Sequence, residues 1–195
     1  MKNLSRRSFG RLVKACAIAG VAMAGFGTVA QDVAAFERVD GGKILVIAGR
    51  QSVDTLDPSI KYNASIRTLQ QALYDALVKY EDNPPTVKPW LAESWESSED
   101  GKTWTFHLVK NAKFHSGNPV TAEAVKYSFT RSLEINKGPS WMLSDFLKPE
   151  GIVVVDDYTV QFNLDKPYAA FLSFLPWWYI MDPAVVEANV EGDDY

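Results

Sequence analysis

Residues 89–133 constrain the fold of this chain more than any other stretch. The run PWLAESWESSEDGKTWTFHLVKNAKFHSGNPVTAEAVKYSFTRSL contains two strand-like segments, 95–98 and 103–109, separated by Glu-Asp-Gly-Lys. Asp-Gly between alternating apolar residues is a strong local signal for a β-hairpin. In the second segment Trp104, Phe106 and Leu108 share one face, which is the period-2 pattern of a strand with one buried side. The stretch therefore predicts an antiparallel hairpin.

A helix is predicted soon after this hairpin. Thr121 belongs to a residue type that caps helix N-termini, and Glu123 lies in the first turn, where the helix dipole favours a carboxylate. Apolar residues that recur at a spacing of four are expected to face the core: Val125, Phe129 and Leu133.

The same stretch resembles a known protein family. AESWE with SEDGKTWTFHL, followed by KFHSGNPVTAEAVKYSF, resembles the signature region of the extracytoplasmic solute-binding proteins of family 5. These are the oligopeptide, dipeptide and nickel-type receptors of ABC importers. A later phrase, VVDDYTVQFNLDKPYAAFL, looks like the same family, so the resemblance extends from residue 42 to about residue 189.

The resemblance implies an α/β fold that is periplasmic-binding-protein-like, of type II, with the extra inserted subdomain of the peptide-binding group. Residues 43–62 would supply a lobe-one strand and a ligand loop, 63–176 the inserted subdomain, and 177–195 the return to lobe one. Family members are several hundred residues long and clamp their ligand between two lobes. We therefore interpret the 195 residues as truncated to part of lobe one. A truncated gene, a split gene and an incomplete sequence remain open.

A truncated lobe would leave apolar surface without its partner. Such surface favours aggregation or association. We expect it to include Trp177, Trp178 and Tyr179.

Several other elements are predicted from local patterns. KILVIA, residues 43–48, is a strand of the kind buried on both faces. An amphipathic helix over residues 65–79 is stopped by Asn-Pro-Pro at 83–85. Its apolar face comprises Ile66, Leu69, Leu73 and Leu77. A short helix at 141–147, a second hairpin with its turn at Asp156-Asp157, and a closing helix that starts at Asp182-Pro183 follow.

The first 30 residues are typical of an export signal. They contain five basic residues and no acidic one, followed by an apolar run rich in Ala and Gly. Arg6 and Arg7 with Phe9 resemble the twin-arginine motif, whereas Gly10 and Arg11 depart from it. The route therefore stays open between the twin-arginine and general pathways. We place the cleavage after Ala30, with 33–35 as the second possibility, and expect a periplasmic protein.

A membrane anchor and a lipoprotein are weaker interpretations of this segment. The run 12–30 contains Lys14 and several Gly and Thr residues, which weakens a membrane span. Lys14 also stands where a lipobox before Cys16 would have a small residue.

Charge and cysteine content exclude some roles for the exported chain. The whole chain has 20 basic and 24 acidic residues, and the signal contains five of the basic ones. The chain without its signal therefore has 15 basic and 24 acidic residues, a net charge of −9. An acidic surface argues against nucleic acid as a partner. The single cysteine, Cys16, lies in the signal, so no internal disulfide can form afterwards.

The sequence offers no catalytic or metal-binding motif. His107 and His115 are eight positions apart, which matches no common metal site. The carboxylates of the first hairpin fit a solvated face and a turn: Glu93, Glu96, Glu99 and Asp100. We predict a binding protein without enzymatic activity, cofactor or metal.

The candidate ligand site is the loop that follows the strand 43–48. Its polar side chains, Ser52, Asp54 and Thr55, lie at the end of a buried strand, where α/β sheets tend to bind ligands. Leu56 and Tyr62 offer apolar contact. The equivalent loop of the family lies at the cleft between the lobes. The alternative is that Asp54 and Asp57 only cap turns.

Three functional hypotheses follow. The first is a periplasmic solute-binding component of an ABC importer, a monomer at full length, that closes its lobes on a peptide-like solute and presents it to a membrane permease. The second is a truncated remnant that binds nothing, and the third is a secreted hydrolase. Peptides, nickel chelates, haem and oligosaccharides all fall within the resemblance.

Overall fold

The computed structural model describes residues 53–189. The predicted export signal with Arg6 and Arg7, the strand at 43–48 and Ser52 lie outside these residues. The first half of these residues forms, in chain order, helix α1 (Ala64–Leu73) and strands β1 (Val78–Glu81), β2 (Thr86–Pro89), β3 (Ala92–Ser97) and β4 (Thr103–Leu108). The second half forms helix α2 (Ala122–Ile135), 3₁₀ helices Ser140–Met142 and Pro149–Gly151, strands β5 (Ile152–Asp156) and β6 (Thr159–Asn163), helix α3 (Phe171–Phe174), the 3₁₀ helix Leu175–Trp177, and helix α4 (Pro183–Asn189).

The predicted hairpin is confirmed and forms half of a four-stranded sheet. The strand order is β3-β4-β6-β5, and every neighbouring pair is antiparallel. In the first turn the Asp100 carboxylate accepts a hydrogen bond from the Lys102 backbone N–H at 3.1 Å. Gly101 has a φ of 67°, which a residue with a Cβ rarely adopts. The Asp-Gly pair thus supplies the turn chemistry that joins β3 to β4.

The core lies between one face of this sheet and helix α2. Phe106 and Phe162 are fully buried on the sheet, and Phe129 meets the Phe162 ring at a centroid distance of 4.8 Å. Val125 and Phe129 are buried as predicted, whereas Leu133 is only half-buried. The cap is confirmed: the Thr121 hydroxyl accepts a hydrogen bond from the Ala124 N–H at 3.4 Å.

The prediction for the first helix is wrong in its length and in part of its face. Helix α1 ends at Leu73, where Tyr74 turns to an extended conformation. Leu69 and Leu73 are 43% and 47% exposed, and Ile66 and Gln70 are the buried residues. The helix does not continue because the carbonyl of Asp75, which the N–H of Lys79 would need in a longer helix, accepts the N–H of Ile180 at 2.8 Å.

The segment beyond α1 forms a hairpin that sequence analysis missed. Strands β1 and β2 pair antiparallel, from Val78 opposite Pro89 to Glu81 opposite Thr86. The Asn-Pro-Pro run lies in the turn of this hairpin instead of ending a helix.

The expected exposure of residues 177–179 is also wrong. Trp178 is 2% exposed and stacks on Phe129, with ring centroids 4.8 Å apart. Tyr179 is 7% exposed and forms an isolated β-bridge with Ala76. Trp177 is half-buried. The aromatic residues are thus covered by this part of the chain itself.

Smaller differences concern the second hairpin and the segment before it. Its turn is at Asp157 and Tyr158, one residue later than predicted, because the register shifts between Val154 and Asp156. The predicted helix at 141–147 is a 3₁₀ turn, Ser140–Met142, followed by hydrogen-bonded turns. The closing helix starts as predicted, and the Asp182 carboxylate accepts the Ala184 N–H at 3.1 Å.

Replacing Phe162 by Ala is expected to lower the free energy of unfolding by about 3–5 kcal/mol, because the cavity would open among Phe106, Phe129 and Phe171. Urea denaturation measures the effect. Val155→Ala is the control, since Val155 is 57% exposed in a neighbouring strand. Equal losses in both variants would contradict this core.

Candidate solute-binding site

The loop that precedes α1 is attached to helix α2 by an ion pair. Arg131 Nη1 donates to Asp57 Oδ1 at 3.0 Å, and Nη2 donates to Oδ2 at 2.7 Å. The Arg131 side chain is 7% exposed and that of Asp57 is 24% exposed. A two-point pair in partly buried surroundings fixes the loop in both distance and orientation.

Close packing next to the ion pair holds the same loop. The hydroxyls of Ser59 and Ser132 are 2.7 Å apart, and Ser59 is fully buried. A Cβ at residue 138 would lie 2.8 Å from the Ser59 carbonyl oxygen and 3.0 Å from that of Pro58, so only glycine fits. Gly138 also has a φ of +53°, in the region that favours glycine.

The loop is further ordered by bonds within itself and to α1. Thr55 Oγ1 accepts the Asp57 N–H at 3.1 Å, and Asp57 Oδ1 accepts the Ser59 N–H at 2.8 Å. The buried Gln70 amide donates to the carbonyls of Leu56 and Lys61 at 3.3 and 3.2 Å. The loop is therefore shaped before any ligand arrives.

The four described candidate residues occupy different surroundings on this loop. Asp54 is exposed and pairs with Lys61 at 2.7 Å, and this hydrogen bond is the main cause that lowers the pKa of its carboxyl. Thr55 and Leu56 are half-buried. Tyr62 is half-buried with its ring edge-on to Trp141 at 6.5 Å. Ser52 lies outside the described residues.

A cavity of about 430 Å³ opens beside the loop, between the end of α1 and the start of α4. Of the loop, Asp57 lines it, whereas Asp54, Thr55, Leu56 and Tyr62 do not. The walls are largely apolar, with Leu73, Leu91 and Val120 among them. The candidate residues therefore face a different surface from this cavity.

The carboxylates of the cavity are already engaged by protein groups. Asp75 accepts the Trp90 indole N–H at 2.6 Å. Asp182 accepts hydrogen bonds from Ser116 and, at 2.9 Å, from Asn118. Burial raises the pKa of Asp182, but these bonds and backbone N–H groups outweigh it and lower the pKa overall. These two carboxylates of the cavity are thus already partnered within the protein.

Sequence reasoning missed Arg131 and the function of Asp57 as its partner. A signal was present, because Ser128 and Ser132 interrupt the apolar face of α2 at a spacing of four and Arg131 stands beside them. Polar residues on a face that must be buried need partners. The partner, 74 positions away, was not predictable from local pattern.

Neither histidine is part of a metal site in the described part of the chain. No group of three or more His, Cys, Asp or Glu side chains suited to a metal occurs among residues 53–189. His107 lies near the Thr159 hydroxyl at 3.4 Å, and His115 is exposed. In the same residues no helix is long and apolar enough to cross a membrane.

Comparison with known proteins identifies the family. The model of the bacterial extracellular solute-binding proteins, family 5 (middle region), matches residues 86–195. The probable D,D-dipeptide-binding periplasmic protein DdpA of Escherichia coli is 41% identical over 156 residues, which cover 77% of this chain and 30% of that protein. The chain belongs to this family. It spans about a third of the length of the relatives that it matches.

Solved structures of other binding proteins share the fold of the described residues. The AgaA protein of Agrobacterium tumefaciens, solved with agropinic acid, is 35% identical with a TM-score of 0.63, over 73% of this chain and 29% of that one. OppA of Haemophilus influenzae, solved with the peptide RPPGFSPFR, is 29% identical with a TM-score of 0.63, over 71% and 30%. The predicted type II periplasmic-binding-protein fold of the peptide-binding group is confirmed.

A double-mutant cycle tests the ion pair that holds the loop. Asp57→Asn, Arg131→Gln and the double variant are expected to show a coupling energy of about 0.5–3 kcal/mol in urea denaturation, because each residue neutralises the other in partly buried surroundings. The Asp82–Lys88 pair, exposed at both side chains, is the matched control and should couple less. Equal coupling energies in the two pairs would contradict the claim that the Asp57–Arg131 ion pair holds the loop.

Proposed function

We propose that this chain is part of the periplasmic binding component of an ABC importer, which captures peptide-like solutes by closing two lobes and delivers them to a membrane permease. The observation that carries the proposal is the 41% identity to a relative named as a D,D-dipeptide-binding protein. In this proposal the loop 51–62 forms part of the wall that contacts the solute. The contacting residues are Ser52, Asp54, Thr55, Leu56 and Tyr62.

The geometry of the loop supports this assignment. Binding sites gain affinity when they are ordered before the ligand arrives, because less conformational entropy is lost on binding. The Asp57–Arg131 pair, the packing on Gly138 and the Gln70 amide order this loop from three sides. At its end the half-buried Tyr62 offers a flat apolar surface with a polar tip.

Two of three compared proteins support peptides as the solute class. One is named for D,D-dipeptides and one was solved with a nonapeptide, whereas a third was solved with agropinic acid. Peptides therefore come first as probes, and the other solute classes of the family serve as comparisons.

The test is calorimetric titration of the protein produced from its natural gene with short L- and D-alanine peptides. Tyr62→Ala is expected to raise Kd at least about tenfold, since buried aromatic contacts are typical binding hot spots. Tyr158→Ala is the matched control, because Tyr158 is a half-buried tyrosine in the turn between β5 and β6.

Three results would contradict the proposal. Failure to bind any peptide would favour the remnant hypothesis, and release of amino acids from the peptides would favour a hydrolase. An unchanged Kd in Tyr62→Ala would contradict the assignment of the loop to the solute-binding site.

Export to the periplasm is the second part of the proposal and has its own test. Intact mass of the protein recovered from the periplasm of its own cells is expected to show cleavage after Ala30. Changing Arg6 and Arg7 together to Lys should retain the uncleaved precursor in the cytoplasm if the twin-arginine route is used. Normal cleavage of that variant would assign export to the general route, and an uncleaved wild-type chain would refute the signal.

A further inference from the structure

One face of α1 packs against the segment that follows α3. Arg67 and Gln71 are four positions apart, so they share a face of the helix. Tyr74 follows directly after the last helical residue. At the end of this face the Tyr74 ring lies 6.1 Å from the Tyr179 ring. At its start the Arg67 guanidinium lies 4.4 Å from the centre of the Trp177 ring. This face therefore begins one turn after the candidate solute loop.

The position of the Arg67 guanidinium is fixed by aromatic contacts. It stacks on Trp177, which in turn packs on Tyr80 at 5.7 Å. The Tyr80 hydroxyl donates to the Ser173 carbonyl at 2.6 Å and holds that ring in place. A cation–π contact of this kind uses no N–H hydrogen bond, so the N–H groups of the guanidinium stay available.

Arg67 differs in its partners from the other arginine described. Arg131 is neutralised by Asp57 through two hydrogen bonds. Among residues 53–189, by contrast, no carboxylate lies within ion-pair distance of Arg67 and no acceptor is bonded to its side chain. Arg67 is nevertheless partly shielded from water.

The surroundings of Arg67 strengthen its electrostatic interactions. Burial raises the pKa of the nearby Tyr179 to about 12, while the charge of Arg67 opposes that rise and the Tyr62 phenol adds to it. The Arg67 charge and the Tyr62 phenol thus both influence Tyr179, which lies in a partly desolvated region next to the loop. A charge-assisted hydrogen bond is stronger there than in water.

We propose that Arg67 is the anchor for a carboxylate group of the solute. The inference rests on the proposed function and adds to it the chemical group that is recognised. A guanidinium matches a carboxylate through two parallel N–H···O bonds, and Trp177 orients it in advance. The C-terminus of a peptide and the acid group of a non-peptide solute supply the same chemistry.

The experiment measures Kd by calorimetry for the protein from its natural gene with three probes. These are D-alanyl-D-alanine, its C-terminal amide and gluconate. Wild type is expected to bind the acid about 10- to 100-fold more tightly than the amide, as charge-assisted hydrogen bonds predict. Arg67→Gln should abolish this preference and leave the amide's Kd unchanged, and Arg67→Lys should restore it in part.

Lys79→Gln is the matched control. The Lys79 ammonium also stacks on an aromatic ring, 3.7 Å from the centre of Trp90, on a different element. This variant should keep the wild-type preference for the acid.

Each outcome separates the inference from the proposed function. Binding of acid and amide with equal Kd, or a preference that survives in Arg67→Gln, would overturn the anchor and leave peptide binding intact. Binding of gluconate alone, lost in Arg67→Gln, would support the anchor and overturn the peptide class. Failure of all three probes to bind would overturn both.

Discussion

The ion pair between Asp57 and Arg131 is the interaction on which the position of the candidate site depends. It joins two residues 74 positions apart, one in the loop before α1 and one in the middle of α2. A guanidinium that is 7% exposed cannot remain uncompensated, so the loop must stay where its carboxylate meets Arg131. The neighbouring Ser59–Ser132 contact and the glycine at 138 fit around this pair. Helix α2, which packs on the sheet, thereby fixes the loop that is proposed to contact solute.

Elements with local signals were predictable from sequence. The Asp-Gly turn, the alternation in β4 and the Thr121 cap need only a few neighbouring residues, and each is confirmed. The end of α1 was not predictable in this way. The run that contains Leu77 continues a helical spacing, but its backbone bonds to residues 91 and 92 decide its conformation. The burial of Trp178 and Tyr179 likewise depends on Phe129 and Ala76, which are distant in sequence.

The candidate site was accessible to sequence reasoning only in part. The loop was predicted as the site through resemblance to the family. The comparisons confirm the family, and the role of the loop stays a prediction. Its attachment through Arg131 and the stacked Arg67 depends on contacts between separate elements. Of the two described arginines, one is neutralised within the protein and the other stacks on Trp177 without a carboxylate partner among residues 53–189. This contrast separates a structural cation from one suited to bind an anionic solute.

We propose that the ordered loop 53–62 and the first turn of α1 contact the solute. Hydrogen–deuterium exchange of the protein from its natural gene, with and without a saturating bound peptide, tests it most directly. Exchange is expected to slow in residues 53–67 on binding and to stay unchanged in the β3–β4 turn at 98–102. Unchanged exchange in 53–67, with protection confined to other segments, would contradict it.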